Sequence, residues 1–353
     1  MSKLKIGFIG TGNRAQQPGH MGYAMAYQHA KAYQDLENCE LIACADIKPE
    51  NAQAFADHCQ LPNTYLSHME MLEKEDLDIV SVCVWPKLHA QMVFDCVASG
   101  VRAIHCEKPM ADNWEDARLM VEKCQVAGIQ LTFNHQRRFG LPFVKAKELL
   151  KNEEIGSLQR LEAACGDIFD YGTHYIDMFS FYNDDLPAKW VIGQIDYRKE
   201  NLVFGAVVEN QAIGYWEYEN GVFGLIATGV GAKGVGAHNR LIGTDGMIEV
   251  GATDGSHLRI MRKNSSAWEV IDTNGENLHG PNYISRAIAN LVESLESGVM
   301  PELSGKRALQ ATEIIFACYE SSRRHARIDL PLTIDDNPLV SMIENGNLIL
   351  ESD

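Results

Sequence analysis

The sequence predicts an α/β protein of two domains, a doubly wound parallel domain followed by an α+β domain with a mainly antiparallel sheet. The chain has 353 residues, which predicts two domains at roughly 150 residues per domain. In its first part, short apolar runs alternate with helical stretches, which is typical of parallel strands that helices cover on both faces. After about residue 140, strand-like segments follow one another between Gly, Asn and Asp turns, which indicates an antiparallel sheet.

The elements of the first domain follow from its apolar pattern. Strands are predicted from short apolar runs at residues 4–9, 41–45, 79–84, 103–106 and 129–133. Helical character separates them at residues 49–58, 89–99 and 113–127. Gly100 and Gly128 directly follow two of these helices, at the position where a left-handed helix cap favours glycine.

The second domain is predicted to contain helices at both ends of its strands. A helix is expected near residues 142–152, and Asn220-Gly221 between two alternating runs is a strong hairpin signal. Helices return at residues 281–297 and 304–325.

The change of pattern sets the expected domain boundaries. The first domain is expected to span residues 1–138 and the second residues 139–332. Residues 333–353 are expected to form an acidic, solvated C-terminal segment, because residues 329–353 carry six acidic and no basic side chains.

Composition excludes several classes of function. Lys and Arg number 31 against 48 Asp and Glu, which gives a net charge of −17 and argues against a nucleic-acid partner, since phosphate contacts need a basic face. The nine cysteines form no C-x-x-C pair, which favours a reducing compartment over a disulfide framework or a zinc module. No apolar run approaches the ~18 residues of a membrane span. We therefore expect a cytoplasmic protein without a membrane partner.

A glycine motif directly follows the first predicted strand. Gly10–Ala15 matches G-x-G-x-x-A, in which the first glycine permits a tight turn and the second lets the backbone approach a pyrophosphate. Amides at the following helix N-terminus would hold the phosphate charge. The motif predicts dinucleotide binding, with a plain glycine turn as the alternative. The residues expected at the cofactor are Gly10, Gly12, Asn13 and Arg14.

Asp46 ends the second predicted strand. A carboxylate there accepts hydrogen bonds from the adenosine ribose and repels a 2′-phosphate, so NAD is favoured over NADP. NADP stays open because Lys48 could accommodate the phosphate. The alternative role for Asp46 is a cap of the following helix.

The spacing between the glycine motif and Asp46 indicates an insertion. Asp46 lies 31 residues after Ala15, whereas about 20 is usual for this motif. Residues 16–28 are interpreted either as a longer surface loop or as a flap over the cofactor or substrate that uses Tyr23 or Tyr27.

A lysine follows the predicted strand at residues 103–106, in Glu107-Lys108-Pro109. Ligands bind at the carboxyl edge of such sheets, and a lysine near a substrate hydroxyl can stabilise a developing alkoxide. The alternative is an exposed lysine in a strand-to-helix turn. A proline after Lys108 also permits a cis peptide bond.

A second cluster comprises Asp170, His174 and Asp177, which share one face if the segment is helical. An imidazole that titrates near neutral pH suits proton removal from an alcohol, and neighbouring carboxylates can orient it. A metal site is less favoured because no third soft ligand has suitable spacing, so no metal is expected. A structural histidine is the remaining alternative.

Candidate substrate contacts follow the fifth predicted strand. Arg137 or Arg138 could bind a carboxylate or a polyhydroxyl substrate, with a solvated or interdomain ion pair as the alternative. Tyr171 and His238 are weaker candidates for the same role.

These motifs together resemble the glucose–fructose oxidoreductase / inositol dehydrogenase / rhizopine catabolism (Gfo/Idh/MocA) superfamily. The resemblance runs from about residue 4 to residue 332 in the order expected for the superfamily. Its pieces are Gly10–Ala15, Trp85-Pro86-x-x-His89, Glu107-Lys108-Pro109, Ile155-Gly156-x-Leu158, Asp170-x-Gly172-x-His174-x-x-Asp177, Gly243-Thr-Asp-Gly246 and Ser304-Gly305.

The resemblance implies a Rossmann domain, an open antiparallel sheet and an active site in the cleft between them. By carry-over, Lys108 is the active-site lysine, His174 the general base and Asp170 a carboxylate that orients the substrate. Glu107 and His89 would line the nicotinamide region. Trp85 replaces the superfamily's usual threonine and is expected to pack on the cofactor in its own way.

The sequence therefore predicts an NAD-dependent oxidoreductase for a sugar, cyclitol or sugar derivative. One alternative is an NAD-dependent glycosidase that oxidises its sugar transiently, eliminates the aglycone and reduces the product again. The other is a regulator that binds the dinucleotide without catalysis. The resemblance also implies a homodimer or homotetramer.

Overall fold

The structure is a computed structural model that describes residues 3–14, 23–348 and 350. Ala15 of the glycine motif and residues 16–22 of the expected insertion lie outside the described residues. Residue contacts divide the chain into two units. The first comprises the described residues of Met1–Asp112, Asp116–Gln136 and Pro281–Ala308, and the second those of Asn113–Glu115, Arg137–Gly280 and Leu309–Asp353.

The strands, in chain order, are β1 (Leu4–Ile9), β2 (Cys39–Ala45), β3 (Asn63–Tyr65), β4 (Ile79–Val82), β5 (Ala103–Cys106), β6 (Gln130–Phe133), β7 (Leu158–Cys165), β8 (Ala188–Asp196), β9 (Leu202–Val203), β10 (Ala206–Val207), β11 (Gln211–Tyr218), β12 (Phe223–Thr228), β13 (Ala237–Gly243), β14 (Met247–Ala252), β15 (Leu258–Met261), β16 (Glu269–Val270) and β17 (Ile328–Asp329). The α-helices are α1 (Ala26–Gln34), α2 (Pro49–Cys59), α3 (His68–Lys74), α4 (Pro86–Ser99), α5 (Trp114–Ala127), α6 (Leu141–Lys151), α7 (Gly172–Tyr182), α8 (Ala232–Val235), α9 (Pro281–Ser297), α10 (Gly305–Arg324) and α11 (Pro338–Glu344).

The first unit contains a parallel sheet of six strands in the order β3-β2-β1-β4-β5-β6. The predicted doubly wound sheet is therefore confirmed. The strand order reverses between β1 and β4, and ligands bind at the carboxyl ends of the strands beside such a reversal. The glycine motif follows β1, which places it at this point.

The core of the first unit explains why this unit is built from separate segments of the chain. Apolar residues of α9, spaced as one helical face, join the core cluster of β1, α1 and α2. They are Ile284, Ile288, Leu291 and Val292. The expected second domain of residues 139–332 thus differs from the observed unit, because Pro281–Ala308 packs with the first unit.

The second unit contains a sheet of nine strands in the order β16-β15-β14-β13-β7-β12-β11-β8-β17. Every neighbouring pair is antiparallel except β7 and β12, which confirms a mainly antiparallel sheet. The predicted hairpin joins β11 to β12, and Gly221 in its turn has a φ of +83°. β9 and β10 form a separate two-stranded sheet.

The C-terminal segment differs from the expected solvated tail in its described part. It forms α11, whose Leu339 and Met342 are buried, and the Asn337 side chain accepts two amide hydrogen bonds at its start. Asp336 receives two hydrogen bonds from the Arg323 guanidinium. The neutral Asn337 therefore caps α11, and the acidic Asp336 serves as an ion-pair partner.

The insertion is shorter in the structure than the sequence indicates, because α1 begins at Ala26 and includes residues 26–28. Tyr27 lies on this helix, and its ring packs edge-on against Phe55 at 4.9 Å. Tyr27 is therefore part of a packed helix, while residues 16–22 of the proposed flap lie outside the described residues and their role stays a prediction. In the described part of the chain, no helix combines the length and apolarity that a membrane crossing requires.

Candidate active site

The glycine loop after β1 has a backbone that only glycine adopts readily. Gly10 and Gly12 have φ values of +82° and +65°. A Cβ on Gly10 would lie 2.7 Å from Val84 Cγ1, and one on Gly12 would lie 3.2 Å from Ala24 Cα. The loop is thus a tight cradle without side chains, which fits the close approach of a dinucleotide pyrophosphate.

Asp46 fixes this loop from the end of β2. Its Oδ2 accepts hydrogen bonds from the Thr11 amide at 2.9 Å, the Thr11 hydroxyl at 3.0 Å and the Gly12 amide at 3.2 Å. Its Oδ1 accepts from the Lys48 amide at 2.9 Å. Lys48 is itself the N-cap position of α2, so Asp46 is not the helix cap that the sequence left open. The carboxylate thus joins the end of β2 to the glycine loop.

Arg14 belongs to the glycine motif, and Trp85 follows β4, the strand beside β1. The Arg14 guanidinium lies 2.7 Å from His58 Nε2 and 5.3 Å from the centre of the Tyr27 ring. A cavity of about 620 Å³ opens here, and Gly12 and Asn13 also line it. Trp85 directly precedes α4 and is 57% exposed, so its ring is accessible for stacking.

Lys108 lies two residues after β5 and is partly buried, and its peptide bond to Pro109 is cis. Glu107 and His89, which the resemblance places at the nicotinamide region, are both buried. The Glu107 carboxylate accepts from Asn134 Nδ2 at 2.7 Å, and the His89 ring contacts the carbonyls of Val84 at 3.0 Å and Pro109 at 2.9 Å. Burial lowers the pKa of His89. Both side chains therefore support the Lys108 turn from inside.

The second unit places Asp170, Tyr171 and His174 at the start of α7. Asp170 and Tyr171 lie in the turn before the helix, and His174 is in its first turn. The Asp167 carboxylate accepts the amides of Asp170 and Tyr171, and the Asp167 carbonyl accepts the Gly172 amide at 2.9 Å. This turn presents a carboxylate and an imidazole close together in sequence, with a half-exposed tyrosine between them.

Arg137 and His238 contact each other beside the same helix. An Arg137 guanidinium N–H donates to His238 Nε2, and the His238 ring stacks on Tyr175 with centroids 3.8 Å apart. Burial, followed by the positive charge of Arg137, lowers the pKa of His238 well below its ordinary value. The imidazole is therefore neutral, and its Nε2 accepts the hydrogen bond from the Arg137 guanidinium.

Arg138, by contrast, is an internal ion-pair residue. Its guanidinium binds both carboxylate oxygens of Asp177 at 2.9 Å and lies 2.8 Å from Asp185 Oδ1. Its side chain has no exposed surface, and that of Asp177 is 2% exposed. The expected substrate contact of Arg138 is corrected to a structural pair, and Asp177 belongs to this pair.

Two family models match most of the chain. The first, described as an oxidoreductase family with an NAD-binding Rossmann fold, matches residues 4–135, and the second, its C-terminal α/β domain, matches residues 147–330. Both are models of the Gfo/Idh/MocA family. The chain belongs to this family. It is accordingly an oxidoreductase whose first unit contains the NAD-binding fold.

Relatives of this Gfo/Idh/MocA protein match along nearly its whole length. Myo-inositol 2-dehydrogenase of Thermotoga maritima is 24% identical over 348 residues, which cover 93% of this chain and 98% of the relative. D-apiose dehydrogenase of Paraburkholderia graminis is 22% identical, with 90% of each chain covered. The structure of an oxidoreductase from Agrobacterium radiobacter with NAD⁺, L-tartaric acid and magnesium has a TM-score of 0.76 at 20% identity, covering 93% of this chain and 98% of the other.

Sequence reasoning missed two residues at the sites of this Gfo/Idh/MocA protein. Asp167 stands three residues before Asp170, a spacing typical of a side chain that accepts amides of the following turn. His29 contacts Glu107 but lies 78 residues away in sequence, so no local signal reveals it. Within residues 3–14, 23–348 and 350, no three metal-ligating side chains come together.

Proposed function

We propose that this protein transfers a hydride between a nicotinamide cofactor and a hydroxyl-bearing carbon of a sugar, cyclitol or sugar derivative. The observation that carries the proposal is the glycine cradle fixed by Asp46, in a family member that retains Lys108, Asp170 and His174. The two sequence relatives are named as dehydrogenases of an inositol and of a pentose, which supports the substrate class.

The first unit would bind the cofactor through its loop and its second strand. The backbone at Gly10 and Gly12 lets the pyrophosphate approach, and Asp46 accepts the ribose hydroxyls and repels a 2′-phosphate. The exposed Trp85 ring would stack on the bound cofactor. Bound NAD supplies the hydride acceptor, while the protein supplies orientation and electrostatics.

Proton transfer is assigned to the second unit. His174 removes the proton from the substrate hydroxyl as general base, and Asp170 orients that hydroxyl. Lys108 donates a hydrogen bond to the oxygen as its negative charge develops. A carbon whose oxygen is an alkoxide releases hydride far more readily than one that carries a neutral hydroxyl, so removal of the proton assists hydride transfer.

Substrate hydroxyls or a carboxylate would be held by groups near the start of α7. Arg137 keeps its positive charge beside the neutral His238, and Tyr171 is half-exposed in the turn before the helix. A guanidinium and a phenol together suit a polar ligand with several oxygen atoms.

Substitutions of the two assigned residues test the proposal. Lys108→Ala and His174→Ala should each lower kcat about 100-fold or more, while the NAD dissociation constant changes less than threefold. The same substitutions at the exposed residues Lys151 and His257 serve as controls and should leave both quantities unchanged. Turnover like that of the unaltered protein in either site variant would remove the assignment.

A substrate screen separates the proposal from its alternatives. Net NADH formation with free sugars or cyclitols supports a dehydrogenase. Aglycone release from glycosides without NADH accumulation would instead identify a redox-neutral glycosidase. Dinucleotide binding with no turnover across sugars, cyclitols and glycosides would identify a regulator.

We also propose that the protein is a homodimer or homotetramer. Ile192 on β8 and Ile213 on β11 are 48% and 53% exposed on adjoining strands, and Tyr215 stacks on Phe223 nearby at 5.4 Å. Such an apolar sheet face is favourably covered by a second copy. Light scattering that gives the mass of a monomer would contradict this. The cytoplasmic location and the lack of a nucleic-acid partner stay predictions.

A further inference from the structure

A buried contact between a histidine and a glutamate lies beneath the turn that carries Lys108. His29 Nε2 on α1 is 3.0 Å from Glu107 Oε1, and neither residue is more than 8% exposed. Asn134 Nδ2 donates to the same oxygen at 2.7 Å, and the Lys108 amide donates to the other oxygen at 3.2 Å. The Glu107 carboxylate therefore joins α1, the end of β6 and the Lys108 backbone.

A carboxylate in this environment needs a compensating charge, because burying an isolated ion is costly. Burial raises the pKa of Glu107, but the hydrogen bond and charge of His29 and the Asn134 amide outweigh burial and lower the pKa to about 2. Burial lowers the pKa of His29, but Cys83 and Glu107 outweigh it and raise the pKa to about 10. The nearby His105 ring, 4.8 Å away, has a pKa lowered to about 3, first by burial and then by His29.

Serine, histidine and glutamate here follow the order of a hydrolase triad, since Ser81 Oγ lies 2.7 Å from His29 Nδ1. A nucleophilic role is excluded because Ser81, on β4, and His29 have no exposed surface for a substrate to reach. The serine instead fixes the orientation of the imidazole ring so that Nε2 points at Glu107. The contacts therefore indicate that Ser81 and His29 hold the Glu107 carboxylate in place.

We propose that His29 is a positioning residue for Lys108 and acts through a charged pair with Glu107. This inference rests on the proposed role of Lys108 in hydride transfer. The imidazolium keeps Glu107 ionised, and the ionised carboxylate holds the Lys108 amide. The pair also ties the active-site turn to α1, the helix that follows the glycine loop. A misplacement of about 1 Å at a reacting group costs about 100-fold in rate, so a support of this kind affects kcat.

Three variants test the pair through activity. His29→Gln keeps a donor to Glu107 but removes the charge, and it should lower kcat between 10- and 100-fold with less than a threefold change in the KM for NAD. The double variant His29→Gln/Glu107→Gln should regain part of that loss, because it contains no uncompensated charge. His105→Gln is the matched control, since it removes a neighbouring buried imidazole that hydrogen-bonds Thr132, and it should retain kcat.

Two spectroscopic measurements test the charge state without using activity. In the unaltered protein, the ring nitrogen resonances of His29, assigned by their loss in His29→Gln, should be those of a protonated ring at pH 8. In His29→Gln at pH 6, the infrared band of a protonated carboxylic acid should appear. Without the imidazolium, burial raises the pKa of Glu107. That band should vanish in the double variant.

The outcomes separate this inference from the proposed function. A neutral His29 ring at pH 8, or an equal loss of kcat in His105→Gln and His29→Gln, would overturn the positioning role. If the unaltered protein oxidises no substrate, the proposed function fails and the positioning role fails with it. In that case, the two spectra alone decide whether His29 and Glu107 form a charged pair.

Discussion

The ion pair of Arg138 with Asp177 allows a quantitative test of how much a buried charge pair stabilises the second unit. The guanidinium makes two parallel hydrogen bonds of 2.9 Å to the carboxylate, and both side chains are almost completely buried. Asp177 lies on α7, one turn after His174. Replacement of Arg138 by Met keeps most of the side-chain volume but leaves the aspartate charge buried without its main partner.

The expected magnitude follows from that uncompensated charge. Removal of one partner of a buried ion pair costs about 3–5 kcal/mol of unfolding free energy. For a unit of this size, each kcal/mol lowers the thermal midpoint by about 2–4 °C, so Arg138→Met should lower it by about 6–20 °C. Scanning calorimetry measures the shift, and kcat should fall as well because the helix that carries His174 is displaced.

Two further variants isolate the cause. Arg138→Met/Asp177→Leu should regain most of the lost stability, since well-packed apolar residues replace buried ion pairs at little cost. Arg102→Met removes the same group from an ion pair with Asp78 in which the arginine side chain is 51% exposed, and it should cost less than about 1 kcal/mol. An Arg138→Met midpoint within 2 °C of the unaltered protein, or a double variant no better than the single one, would refute the reasoning.

Three other substitutions test the loop, a turn and a buried carboxyl. Asp46→Ala should weaken NAD binding about 10–100-fold and reduce the preference for NAD over NADP, because a hydrogen bond to a charged group contributes about 1.5–3 kcal/mol. Fluorescence titration with both dinucleotides measures the two affinities. Unchanged NAD affinity would exclude the ribose contact. Burial, together with the charges of neighbouring carboxylates, raises the pKa of Asp167 from 3.8 to about 7, so the folded protein keeps a proton that the unfolded chain releases and stability falls as pH rises from about 4 to 7. Asp167→Asn should therefore raise the thermal midpoint more at pH 8 than at pH 4, and an equal shift at both would contradict the assignment. Gly243→Ala should cost at least about 1–3 kcal/mol, because its Cβ would lie 2.1 Å from the Ile155 carbonyl oxygen. Gly234→Ala, where no atom lies within 4 Å of the new Cβ, should be neutral or stabilising, and equal urea midpoints for the two variants would contradict the steric argument.

The elements that the sequence predicts most accurately are those bounded by strong local signals. Residues 4–9, 103–106 and 281–297 match β1, β5 and α9 at both ends. Each has a continuous apolar run or an apolar helical face, and a glycine or proline marks a boundary of β1 and of α9. β3 and α3 escape prediction because they are short and lack a clear apolar period.

Side-chain partners are harder to predict because they depend on contacts distant in sequence. Arg137 and Arg138 are adjacent and chemically identical, yet one contacts His238 and the other is committed to Asp177. Which of two arginines meets a carboxylate depends on where α7 packs, 39 residues later in the chain. Glu107 turns inward for the same reason, since its partner His29 comes from a different part of the chain.

The net charge of −17 makes cofactor binding a local problem. The sequence assigns the pyrophosphate to backbone amides of the glycine motif and a few cations, and in the structure the Thr11 and Gly12 amides donate to Asp46. These amides therefore stabilise the Asp46 carboxylate and hold the loop in the conformation that favours glycine. Under the proposed function, we therefore expect the positive charge of Arg14, two residues after Gly12, to contribute more to attracting the pyrophosphate than these two amides. The reason is that Asp46 already accepts hydrogen bonds from the Thr11 and Gly12 amides, which an anion would otherwise bind.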